Sequence, residues 1–113
     1  MEIKYEIGGG LTGGLMRWLG PVSTDGIGAD DAARAVGLVA AMDFFNMRGP
    51  TGGIPERTEP MWSALQVTDV QTTHRVEWYE YQPSPPQVTE LRELLERHTE
   101  WQSFIPGFNP ERQ

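Results

Sequence analysis

A chain of 113 residues with 13 Gly, 9 Pro and 38% hydrophobic positions can build one modest core, which excludes a multi-domain enzyme or a large buried cofactor. Sixteen acidic against nine basic side chains leave a formal charge of -7, which repels phosphate backbones and anionic membranes and points to a basic, neutral or protein partner. With no Cys, disulfides, thiolate zinc sites, iron–sulfur clusters and cysteine nucleophiles are excluded together.

Met1 to Ile7 has no basic stretch followed by an apolar one, and nowhere do about 18 apolar residues run together, so a soluble, cytoplasmic protein is expected. Ile3, Tyr5 and Ile7 alternate with Glu2, Lys4 and Glu6, the period of a strand with one face on a core and one in water. Gly8 to Gly14 follows with five glycines in seven positions, which permits tight backbone reversal. Leu15 to Leu19 then reads as the return strand of a hairpin, ended by Gly20-Pro21.

Asp30 and Asp31 are placed to cap and charge-complement a helix that runs through Met47. Its apolar stripe is Ala32, Ala35, Leu38, Val39, Met42 and Phe45, with Val36 and Phe44 on the flanks, and Gly37 is read as a close approach to the sheet. Arg48 to Pro60, punctuated by Gly and Pro, is the longest irregular loop.

Trp62 to Val70 and Thr73 to Tyr81 form a second hairpin, with His74, Val76 and Trp78 on one face and Arg75, Glu77, Tyr79 and Tyr81 on the other. Ser84-Pro85-Pro86-Gln87 reads as a capping box that opens a last helix reaching about Glu100. Val88, Leu91, Leu94, Leu95 and Trp101 line its buried side, and Arg92 with Glu96 and Glu93 with Arg97 are paired on its outer face. The expected fold is α+β: a four-stranded, mainly antiparallel sheet with two helices on one face, in the order β-β-α-β-β-α. Residues 1–104 make the single domain and 105–113 a loose tail.

Catalytic chemistry is thinly supplied. The two histidines, His74 and His98, lack paired-ligand spacing, and Ser23, Ser63, Ser84 and Ser103 lack a nucleophile-elbow context. Glu90, Glu93, Glu96 and Glu100 run down a helix surface as a solvated face does. The glycine-rich stretch has no Gly-Lys-Ser or Gly-Lys-Thr ending and opens no helix, so it reads as a hairpin turn or an interaction loop rather than a phosphate loop. Trp62, Trp78, Tyr79 and Tyr81 concentrate on one hairpin, either as core and sheet surface or as a protein-binding patch. We therefore expect no enzyme, no cofactor and no metal.

Four stretches in this order resemble the emfourin family, small bacterial protein inhibitors of thermolysin-like zinc metalloproteases. They are the opening Met-x-Ile strand with Gly9-Gly10-Leu11-Thr12-Gly13, Ala41-Met42-Asp43-Phe44-Phe45, Thr73-His74-Arg75-Val76, and the Pro-x-x-Val-x-x-Leu-x-x-Leu-Leu start of the final helix. Leu11 replaces the family's aromatic residue, Asp69-Val70-Gln71 replaces an Asp-Gly turn, and Arg17 is what remains of the basic residues after the glycine loop. The resemblance implies an inhibitor that blocks a protease cleft with Gly9, Gly10, Leu11, Thr12 and Gly13. Leu11 would enter the apolar S1′ pocket as an uncleaved substrate mimic, with Glu6 as a rim carboxylate that steers association or approaches the zinc. The partner is then a metalloprotease, with no nucleic acid or membrane; the oligomeric state is left open, with a monomer favoured. The rival reading is an acidic protein-binding or anti-defence module with no protease target, and a third, a small catalytic domain, requires His74 and His98 to converge.

Overall fold

The structure, a computed structural model, describes residues 1–9, 16–49, 61–79 and 82–104. β1 (Glu2–Gly9) and β2 (Met16–Ser23) form the first hairpin, and β3 (Met61–Asp69) and β4 (Thr72–Tyr79) the second. α1 (Ala29–Ala41) lies between the hairpins, and α2 (Pro86–His98) and β5 (Gln102–Phe104) follow them.

Among the described residues the sheet therefore has five strands rather than the expected four, and the order along the chain is β-β-α-β-β-α-β. The spatial order is β4-β3-β1-β2-β5 with every neighbouring pair antiparallel, so β1 is central and its pairing with β3 joins the hairpins. β5 answers the free edge of β2, where Met16, Arg17 and Trp18 pair with Phe104, Ser103 and Gln102.

β2 also runs past its expected end at Gly20-Pro21. Its register with β1 shifts between Ile3 and Tyr5, and Gly20 takes φ +95 there, so the chain passes the irregularity and pairs again at Val22 and Ser23.

The register puts Ile3, Tyr5, Leu19, Leu65, Val67, Val76 and Trp78 on one face, buried with Ala35, Leu38 and Val39 of α1, Phe44, and Val88, Leu91, Leu94 and Leu95 of α2. Both helices thus cover the same side of the sheet, as expected. α1 ends at Ala41 rather than Met47, because Asp43 turns into the left-handed region (φ 51) and a short 3-10 turn, Phe44–Asn46, carries Phe44 into the core. Val36 is 43% exposed, and a Cβ on Gly37 would meet nothing within 4 Å, so Gly37 marks no close approach to the sheet.

The caps differ from expectation as well. Gly28 precedes α1 without a side-chain cap, and Asp30 and Asp31 lie inside its first turn, where they complement the positive helix end. Pro85 is the N-cap of α2 and Pro86 its first helical residue; the backbone N–H of Val88 donates to the Pro85 carbonyl, and the exposed Ser84 caps nothing. On the outer face Arg92 reaches Glu96 at 3.5 Å, but Arg97 turns to Asp31 instead of Glu93. Among the described residues no helix is long and apolar enough to cross a membrane.

Candidate functional site

The glycine-rich segment leaves the sheet at its centre. Gly8 pairs with Met16 on β2 and with Trp62 on β3, and Gly9, at φ 83, closes β1 against Met61. Of the five expected contact residues Gly9 lies at this strand end, while Gly10, Leu11, Thr12 and Gly13 lie outside the described residues. A cleft of about 220 Å³ opens beside the strand end between Ile7, Met61, Trp62 and Ser63.

The sheet face turned away from the helices carries a linked set of charges and indoles. Glu6, expected at the rim in water, is 4% exposed. Its Oε1 accepts from Lys4 Nζ at 3.0 Å and its Oε2 from Arg75 Nη1, while Arg75 Nε also donates to Glu77 Oε1 at 3.1 Å. Arg75 belongs to β4 and must cross β3 to reach β1. The residue between Glu6 and Glu77 in the register is Ala64, whose methyl group leaves that path clear.

The cations in turn sit over aromatic rings. Lys4 Nζ lies 5.8 Å from the Trp18 ring centre and the Arg75 guanidinium carbon 5.7 Å from that of Trp62. Burial alone would raise the Glu6 pKa, but the hydrogen bonds from Lys4 and Arg75 and their positive charges outweigh it and hold the carboxyl below its ordinary value. Burial likewise opposes the Arg75 charge, and Glu6 and Glu77 outweigh it, so its pKa is raised. A carboxylate held ionised between two cations is a poor proton acceptor at neutral pH and is already satisfied as a ligand. Glu6 is therefore neither a general base nor a free rim carboxylate.

The histidines are not brought together. His74 Nε2 donates to the Met47 carbonyl at 2.7 Å, and its ring packs edge-on against Phe44 with ring centres 5.2 Å apart. His98 Nε2 meets Asp31 Oδ2 at 2.6 Å, tying the end of α2 to the start of α1. Asp31 is held below its ordinary pKa, first by that hydrogen bond. His98 thus meets the first turn of α1 and His74 the Met47 carbonyl past its other end, so the body of the helix lies between the two sites. Among the described residues no group of three or more His, Asp or Glu is placed to hold a metal ion.

Sequence reasoning separated the aromatics of the second hairpin only in part. Trp78 is 4% exposed in the core, and Trp62 lies on the opposite face beside Tyr79, its cross-strand neighbour. Trp18 and Lys4 were missed as members of a set. Their signal was the shared parity of Lys4, Glu6, Trp18, Trp62, Arg75 and Glu77, which becomes readable once β3 is known to lie between β1 and β4.

No protein-family model, no curated protein and no solved structure matches this chain.

Proposed function

We propose that this protein is a proteinaceous inhibitor of a thermolysin-like zinc metalloprotease, blocking the active-site cleft by loop insertion together with surface contacts. The observation that carries the reading is the position of the emfourin-like glycine segment. It joins two strands in the middle of the sheet, leaving from Gly9 and returning at Met16, where paired strands on both sides of β1 anchor its base. A rigid base limits the conformational entropy lost when the segment enters a cleft.

In this reading Gly9, Gly10, Leu11, Thr12 and Gly13 contact the protease, and Leu11 fills its apolar S1′ pocket. Burying one Leu side chain is worth about 1.5–3 kcal/mol, or about 10- to 150-fold in affinity, so the rest must come from the surrounding surface. The protein acts in the cytoplasm as a monomer and needs no metal or cofactor of its own. Glu6, already held by Lys4 and Arg75, has no part in approaching the zinc.

The test is a titration of the purified protein into a thermolysin-like protease with a fluorogenic peptide, with a serine protease as control. Saturable inhibition of the metalloprotease alone, persisting at about 0.5 M salt where screening acts within a few ångströms, is expected of an apolar plug. Leu11→Ala should weaken it by about tenfold or more, and an effect within about twofold refutes loop insertion. The exposed acids of α2, Glu90, Glu93 and Glu96, motivate the rival reading of an acidic protein-binding or anti-defence module, whose binding to a basic partner would collapse at that salt concentration.

A further inference from the structure

We infer that the end of the sheet beside the glycine segment, comprising Met16, Met61 and Trp62, is the second contact surface for the protease, with Trp62 as its anchor. The inference rests on the inhibitor reading above and extends it from the glycine segment to a surface that the resemblance does not assign.

Area makes a second surface necessary. A specific complex buries about 800 Å² and about 20–30 residues on each partner. The segment between the strands, residues 10–15, is six residues long and supplies a minor part of that. The remainder must come from side chains that border the segment.

The register identifies those side chains. Met16, Gly8, Trp62 and Tyr79 form one row across four strands on the face away from the helices, while Met61, which pairs with Gly9 where the segment departs, stands on the helix side with Ile7 and Ser63, so the surface wraps the end of the sheet. Gly8 carries no side chain and is buried, and the half-buried Met16 and Trp62 flank it. Met61 is 38% exposed although it is a large apolar residue, and it lines the cleft of about 220 Å³ with Ile7, Trp62 and Ser63. That volume accommodates one medium-sized apolar side chain from a partner.

The chemistry of this end matches what carries binding energy at protein interfaces, which are enriched in Trp, Tyr, Met and Arg and depleted in Lys and Glu at their centre. Trp62 is half-buried, and Arg75 lies over its ring. Arg75 is itself fixed by the shielded carboxylate of Glu6, so the indole is held in place before any partner arrives, which lowers the entropy lost on binding. On the helix side of the same sheet end, where Ile7, Met61 and Ser63 border the cleft, the half toward β2 is already occupied within the chain. There Arg17 stacks on Trp101, with 4.9 Å from its guanidinium carbon to the ring centre, and Trp101 packs edge-on against Tyr5.

The test compares the unmutated protein, Trp62→Ala, Met61→Lys and the distant control Val36→Lys in the same titration against a thermolysin-like protease, with thermal melts to verify folding. Trp62→Ala is expected to raise the inhibition constant about thirtyfold, as loss of a hot-spot residue does, and Met61→Lys about tenfold, with Val36→Lys within twofold. If Trp62→Ala does not fold, Met61→Lys decides alone. Inhibition within threefold of the unmutated protein by every folded variant overturns this inference and leaves the inhibitor reading standing. Absence of inhibition by the unmutated protein overturns both.

Discussion

Replacing Glu6 by glutamine removes the charge that Lys4 and Arg75 share while keeping the shape of the side chain. Lys4 then loses its carboxylate at 3.0 Å, and Arg75 loses one of two and keeps Glu77 at 3.1 Å. Removing one partner of a fully buried ion pair costs about 3–5 kcal/mol. Here the Lys4 and Arg75 side chains are 28% and 31% exposed, so water recovers part of the loss, and Glu6→Gln is expected to cost about 1.5–3 kcal/mol. In urea unfolding this appears as a midpoint roughly 1–2 M lower with an unchanged slope. The pH dependence gives an independent sign. The folded-state pKa of Glu6 lies below its ordinary value of 4.5, so its contribution is complete above that pH and is lost as the pH falls through the folded value. The stability gap between the two proteins should therefore be widest at neutral pH and close on acidification below about 4.5. A gap under about 0.5 kcal/mol at pH 7, or one that widens toward acid, would refute the linked role of Glu6, Lys4 and Arg75.

Two glycines should respond in opposite ways to alanine. Gly20→Ala places a Cβ 2.7 Å from the Ile3 carbonyl oxygen at φ +95 and should cost more than about 2 kcal/mol in chemical denaturation, whereas Gly37→Ala meets nothing within 4 Å in a helix and should gain about 0.5–1 kcal/mol. Val70 is 93% exposed at φ 55 in the tight turn between β3 and β4, so Val70→Gly should raise the melting temperature by relieving a conformation that costs a β-branched residue about 1–2 kcal/mol. Asp31→Asn removes the negative charge and one of the two oxygens that His98 and Arg97 share, and should lower the melting temperature at neutral pH. Because the Asp31 pKa is lowered, that difference should fade as the pH drops below 3.8, as melts across the acid range would reveal.

Much of the fold was legible because it is written in local periodicity. Alternation in Ile3, Tyr5 and Ile7 gave β1, β-branched and aromatic runs gave β3 and β4, and Val88, Leu91, Leu94 and Leu95 gave the buried stripe of α2. The end of α1 was not legible, because apolar spacing continues to Phe45 while a single residue, Asp43, turns the chain. Ser84 matched a cap by type and spacing, but the two prolines after it place the helix start beyond its reach.

Of the candidate site, the sequence alone determined the composition: a glycine segment between two strands, charges alternating with apolar residues, aromatics gathered on one hairpin, and no cysteine. Tertiary structure decided what those residues do. Gln102-Ser103-Phe104 carries no alternation of its own and is a strand because β2 offers it an edge. Glu6 alternates with its neighbours as a solvated charge would. It is nevertheless shielded, because β3 brings β4 alongside and Ala64 leaves Arg75 a path across to it. Pairing between strands distant in sequence depends on edges, registers and side-chain sizes that no local window contains, and that pairing decided which charges and rings meet on this sheet.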